Sequence, residues 1–287
     1  MSAKVLVVAG MHRSGTSVVT QWLNRCGLFI GSNLIGADIG NVQGHYEDAD
    51  FLRINEKLLK KRNLPASGFT AKRPAELSEL EKTELKGLIE LKGRKHEQWG
   101  WKEPRTSLFL GEYHALLPDA FYVIVVRGFN ETVNSIITRE YKMRKKRYLT
   151  KKGFSKLKWF LFKRKSQEKI FENETDKFLK IWIHYYEMIL EHLRTLENDR
   201  YVLIDYAELN RNDKNFFSKI KNDWNFSLDY LPFKNVYQKD LLSEVRDIKK
   251  YVNNKDLLAK ATAIEQYIQL NYRKNGDAYH GVMLRAV

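Results

Sequence analysis

Cysteine is nearly absent: Cys26 is the only one in 287 residues. One thiol excludes a disulfide framework and a cysteine-based zinc cluster. Long apolar runs are also missing, and none approaches the roughly 18 residues that a membrane span needs. The N-terminal run VLVVAGM is short, lacks a clear cleavage site and leads straight into a loop motif, so no export signal is expected. Proline is scarce at five residues, there is no Pro- or Gly/Ser-rich linker, and no internal repeat is visible, which favours one domain over 1–287. Acidic residues are in deficit, with 35 Asp and Glu against 50 Lys and Arg, a net charge of +15. The expectation is a soluble cytoplasmic protein drawn to anionic partners.

What is present suffices for a core: 43% hydrophobic and 13% aromatic residues argue against disorder. Nearly continuous apolar runs at Lys4–Ala9, Gln98–Lys102, Phe121–Val126 and Tyr201–Asp205 read as strands. Helical patterns follow them over 17–26, 108–117, 130–141 and after 206, with further helices over 178–196 and 255–272. Strands without polar alternation, separated by helices, predict an α/β fold: a P-loop-like parallel β-sheet flanked by helices on both faces.

The first strand opens onto Gly10–Ser17, GMHRSGTS. Glycines at 10 and 15 have the spacing of a phosphate loop, which delivers backbone N–H groups and a helix N-terminus to an anion. The lysine that closes such loops in kinases and NTPases is replaced by Thr16, and Ser17 follows. The strand that would supply a metal-binding acid, FYVIVV, ends instead in Arg127. Both parts that handle a triphosphate with magnesium are therefore missing. A cation stands inside the loop, at Arg13.

At these residues the chain resembles the sulfotransferases that use 3′-phosphoadenosine-5′-phosphosulfate (PAPS), in particular their bacterial members. Arg13-Ser14-Gly15-Thr16 matches the core of the family's phosphosulfate loop, and Ser17 extends it. Arg127, with Ser135 eight residues on in the next helix, is similar to the family's 3′-phosphate site; an arginine fork and a short hydroxyl suit that group. LIDYAEL resembles the family's strand and Y-E-x-L segment, which implies that Tyr206 lies near the adenine. WGWKEPRT resembles a segment of bacterial members, with Lys102 and Arg105 as active-site cations, and Arg273-Lys274 is similar to the family's C-terminal donor-binding stretch. The resemblance implies PAPS as donor, 3′-phosphoadenosine-5′-phosphate (PAP) as product, no metal, and a hydroxyl of a carbohydrate, glycolipid or polysaccharide as acceptor.

Sulfuryl transfer needs a base for the acceptor proton and cations for the charge that builds on the donor. Arg13 is expected on the leaving phosphate. For the base, the polar segment NVQGHYEDAD offers His45, Glu47 and Asp48, and Glu103 is a further carboxylate. Glu47 is the expected base, with His45 next, since bacterial relatives carry a similar segment and many members use a glutamate. Asp48 or Asp50 has the alternative role of capping a helix over 51–61.

Residues 142–169 hold thirteen Lys or Arg and a single acid, Glu168, interleaved with Trp159, Phe160 and Phe162. This basic aromatic insert, about 141–170, reads either as a solvated charge run or as a surface for an anionic acceptor or for the inner membrane surface. Its charge also suits nucleic acid, but no nucleic-acid motif accompanies it, so none is expected as partner. Two rival functions stay open: a P-loop kinase or NTPase, and a basic membrane- or polysaccharide-binding protein with a relic loop.

Overall fold

The computed structural model describes residues 3–36, 44–150, 155–237 and 245–274, without the side chains of 155–164, 206–207 and 272–274. Its centre is a four-stranded sheet of β1 (Lys4–Ala9), β2 (Gln98–Lys102), β3 (Phe121–Val126) and β4 (Tyr201–Asp205), in the order β2-β1-β3-β4. All three pairings are parallel; Val7 faces Trp101 on one side of β1 and Tyr122 on the other. Parallel strands covered on both faces have no polar side, which is why their sequences read as unbroken apolar runs.

Alternate residues feed two cores. Val5, Val7 and Ala9, with Tyr122, Ile124 and Val126, join the larger one, built on α2 (Ala49–Lys61), α3 (Glu79–Gly93), α4 (Leu110–Leu116), α5 (Phe129–Leu149), α6 (Ser155–Leu193) and α8 (Lys255–Lys274). Leu6 and Val8, with Val123 and Val125, join the smaller one, built on α1 (Thr16–Arg25) and α7 (Tyr206–Ser218). Trp99 and Trp101 are fully buried beside Phe51, whose ring stacks on Trp101 at 4.2 Å.

Two expected helices are longer than their patterns. The helix expected over 130–141 continues to Leu149 as α5; its C-terminal half is solvated and charged, so no apolar stripe marks it in the sequence. The helix expected over 178–196 begins at Ser155 as α6, so the basic segment is divided between the end of α5 and the start of α6, with 151–154 outside the described residues. The stretch expected as one helix over 108–117 divides into a 3-10 turn, Pro104–Leu108, and α4, the break falling at Phe109. α3 had no counterpart in the sequence reading; Ser78 and Glu81 cap it reciprocally. No helix among the described residues is long and apolar enough to cross a membrane.

Candidate active site

The loop after β1 lies at the carboxyl end of the sheet, between the ends of β2 and β3. Gly10 has φ +152, and a Cβ there would come within 2.5 Å of the Val125 carbonyl, so the chain leaves β1 only through glycine. Gly15, at φ 99, caps α1 with its backbone alone. Between them Arg13 adopts a left-handed φ of 69, a conformation that costs a non-glycine residue about 1 kcal/mol or more and clusters at functional sites. Ser14 is buried, and its hydroxyl donates to the Met11 carbonyl at 2.7 Å, holding the turn closed. The Gly10 N–H donates to Ser107 Oγ at 3.0 Å, tying the loop to the turn after β2. Thr16 is buried in the first turn of α1, while Ser17 is half-buried and faces Lys102.

The second expected element meets this loop. Arg13 Nε donates to Ser135 Oγ at 3.1 Å, and Arg127 Nη1 donates to the Arg13 carbonyl at 2.9 Å. Residues more than a hundred positions apart thus share one cationic, hydroxyl-bearing corner. Arg127 is held in turn by Tyr186, whose hydroxyl accepts from the Arg127 N–H at 2.9 Å. Beside it a cavity of about 170 Å³ opens between the ends of β3 and β4, lined by Arg127, Trp182, Asp205, Glu208, Glu265 and Gln269 among others. Tyr206 opens α7 directly after β4, next to this cavity in the chain; its side chain, like those of Arg273 and Lys274, lies outside the described residues.

On the β2 side, Lys102 ends its strand fully buried. Its Nζ donates to Glu47 Oε1 at 2.9 Å and to Ser17 Oγ at 3.2 Å. His45 Nδ1 stands 3.7 Å from the same Glu47 oxygen. Burial alone would push the Glu47 carboxyl up, but the Lys102 charge and hydrogen bonds from His45 and Lys102 outweigh it and hold the group far below the usual carboxylate range. Burial acts on Lys102 in its own direction and draws the ammonium down, against the pull of Glu47 and Glu103.

The remaining candidate carboxylates have structural occupations. Asp48 caps α2, accepting from the N–H groups of Asp50 and Phe51 at 2.9 and 3.4 Å, and its other oxygen pairs with Lys92 at 2.7 Å. Glu103 is completely buried, accepts from Asn55 at 2.8 Å and pairs with Arg105; burial raises its carboxyl. Arg105 is engaged by Glu103 and by the Ala66 carbonyl, to which its Nε donates at 2.6 Å.

One neighbour escaped the motif reading. His12 sits within the loop with its ring 4.7 Å from Phe69, its edge toward Tyr185, and its Nε2 shielded from solvent without a hydrogen-bond partner. Burial, then the charges of Arg105, Lys102 and Arg139, lower it to about 3 against the pull of Glu47, so it is neutral at pH 7. Its position beside Arg13 was the available signal; the aromatic wall that desolvates it comes from segments far along the chain. Among the described residues no group of His, Cys, Asp and Glu is arranged to hold a metal ion.

The corner combines N–H groups at a helix start, two arginines, a lysine and hydroxyls with one carboxylate, a set that can bind anionic groups and accept a proton beside them. The sulfotransferase family model matches residues 6–223, and the chain belongs to that family. No curated protein matches the sequence. Among solved structures, the fold is similar to sulfotransferase STF9 of Mycobacterium avium, with a TM-score of 0.55 at 13% identity over 94% of this chain and 77% of that one. A second is the sulfotransferase domain of the Synechococcus olefin synthase, with a TM-score of 0.48 at 15% identity over 92% of this chain and 96% of that one. The parallel sheet with its flanking helices is the sulfotransferase fold, and members of the family transfer sulfuryl groups to hydroxyl-bearing acceptors.

Proposed function

We propose that the chain transfers the sulfuryl group of PAPS to a hydroxyl of a carbohydrate, glycolipid or polysaccharide, releasing PAP. The observation that carries this reading is the joining of Arg13 to Ser135 and of Arg127 to the loop backbone, at 3.1 and 2.9 Å. A donor with anionic groups on the 5′ and 3′ carbons of one ribose needs neighbouring cations and hydroxyls, and the joined Arg13, Ser135 and Arg127 support that reading. Bound, the donor brings an activated sulfuryl group. Ser14, Gly15, Thr16 and Ser17 offer the helix start to the phosphosulfate, and Arg13 takes charge on the leaving phosphate. Arg127 and Ser135 hold the 3′-phosphate. Tyr206 and the cavity beside Arg127 take the adenine end. Glu47 accepts the proton of the acceptor hydroxyl, with His45 against it. Arg13, Lys102 and Arg127 take the charge that a metal would otherwise carry, so no metal is required.

The acceptor class rests on charge. Lys142 and Arg144–Arg147 are exposed on the end of α5 together with Tyr148 and Leu149, a surface that suits an anionic glycan, a glycolipid or the inner face of a membrane from the cytoplasmic side. Calorimetry with PAP, followed by transfer of labelled sulfate from PAPS to glycan and lipid extracts, tests the reading. Tight PAP binding and label transfer that fails in Glu47→Gln are expected. Magnesium-dependent ATP hydrolysis without PAP binding would replace it with a kinase or NTPase. A protein that binds neither nucleotide but retains liposome or polysaccharide binding would be a binding module with a relic loop.

A further inference from the structure

The position of Lys102 raises a mechanistic question that the family assignment leaves open. A carboxylate locked against a buried ammonium is a poor proton acceptor, because accepting a proton means giving up that ion pair in a desolvated site. The same ammonium touches Ser17, the last residue of the phosphate loop. One cation therefore bridges the base and the donor site, with 2.9 Å to one and 3.2 Å to the other.

We propose that Lys102 is exchanged between Glu47 and the donor: it holds the carboxylate while the loop is empty and turns to the sulfuryl oxygens when PAPS binds, arming Glu47 only in the loaded enzyme. The proposal rests on the sulfotransferase reading above. The exchange needs only a rotation of the lysine's terminal bonds, since Nζ already contacts both sides. It is driven by the charge of the donor, which adds several negative groups next to a cation that otherwise faces Glu47 and Glu103. In the step itself the acceptor oxygen forms its bond to sulfur as the sulfur–phosphate oxygen bond breaks. The electron pair of that bond leaves on the phosphate of PAP, and the hydroxyl proton passes to Glu47. Lys102, now on the sulfuryl oxygens, balances the charge spread over them and no longer competes for the carboxylate.

Glu47 is faced by Lys102 from β2, by His45 from its own segment and by His12 from the loop; Lys102 is faced by Glu47, Glu103 and Arg13. A titration must therefore report Glu47 itself rather than a nearby imidazole. The experiment is carboxyl-carbon NMR of glutamate-labelled full-length protein, with Glu47 assigned by its loss in Glu47→Gln, titrated from pH 4 to 8 alone, with PAP and with PAPS. Calorimetry on the same samples reports binding independently. In the free enzyme Glu47 stays ionised throughout. PAPS brings its midpoint up into the titrated range, and PAP, which lacks the sulfuryl group, raises it less. In Lys102→Met the midpoint is raised before any donor is added, and PAPS moves it little further. The acid limb of kcat/KM in that variant shifts up by a similar amount. PAPS that binds but leaves the Glu47 midpoint unchanged in the wild type overturns the exchange while leaving the sulfotransferase reading intact. Failure of PAP and PAPS to bind at all overturns that reading and the exchange with it. Should Lys102→Met fail to fold, the wild-type titration with the two nucleotides still decides.

Discussion

Replacement of Asp48 separates a structural carboxylate from a chemical one. Asp48 lies next to Glu47 in the chain and is nearly inaccessible, with one oxygen capping α2 and the other on Lys92. Alanine removes both functions. The lost cap costs about 1 kcal/mol, and the lost charge-assisted hydrogen bond costs about 1.5–3 kcal/mol more, so Asp48→Ala is expected to lose about 3 kcal/mol in total. Asparagine caps a helix as well as aspartate does, so Asp48→Asn should retain the first contribution and cost less than alanine by about 1 kcal/mol. Lys92 keeps Asp50 as a partner at 2.7 Å in either variant, which limits the penalty of leaving its ammonium buried. Urea denaturation at pH 7 with a constant m-value measures all of this, and Lys92→Met closes a double-mutant cycle on the ion pair. Equal destabilisation by Asn and Ala would refute the capping argument. An Asp48→Asn protein that folds stably but has lost sulfuryl transfer would make Asp48, rather than Glu47, the carboxylate that handles the proton.

Two further outcomes follow from geometry and burial. Gly10→Ala places a methyl 2.5 Å from the Val125 carbonyl, so PAP affinity should fall at least tenfold by calorimetry while far-ultraviolet circular dichroism stays unchanged; normal affinity would mean that the loop has another route out of β1. His192 is buried beside His114 and Tyr122, and burial, then the nearby His114, lower it to about 4. A folded value below the unfolded 6.5 means that the unfolded chain binds the proton more readily. Stability is therefore full above about pH 6.5 and declines as the pH falls toward 4, by about 3 kcal/mol from this residue. His12 acts in the same direction. Denaturation series at pH 7, 5.5 and 4.5 should show the decline, and His192→Phe should flatten it; an unchanged slope in that variant would assign the loss to other groups.

The sheet was legible because its strands are buried on both faces, so their apolar runs needed no partner to be read. The Gly10–Ser17 loop was legible for a different reason, the local spacing of its glycines, whereas Arg127 and Ser135 were singled out as a pair only through the family resemblance. α3 was missed although Ser78-Glu79-Leu80-Glu81 is a capping box in plain sequence; its exposed Leu80 and Leu91 blur the apolar stripe that would have marked it. The Glu47–Lys102 contact joins positions 55 apart and arises only when β2 pairs with β1. His12 was overlooked because the motif directs attention to glycines and hydroxyls, while its chemistry is set by Phe69, Tyr185 and Arg105 from three distant segments.

The strand order has a consequence for how such an enzyme can diversify. With β1 between β2 and β3, the phosphate loop has Arg127 and Ser135 on one flank and Lys102, Glu47 and the 66–70 loop on the other. Arg127 and Ser135 thus follow the inner strand β3, whereas Lys102 and Glu47 stand beside the edge strand β2, in different stretches of chain. Of the second group, Glu47 and the 66–70 loop lie in 44–72, outside the sheet, while 98–107 carries Lys102 and Ser107, which touch the phosphate loop at Ser17 and Gly10. On the proposed reading, exchange of 44–72 between relatives would change what meets the acceptor while the ties of the phosphate loop to Lys102, Ser107 and Ser135 stay in place.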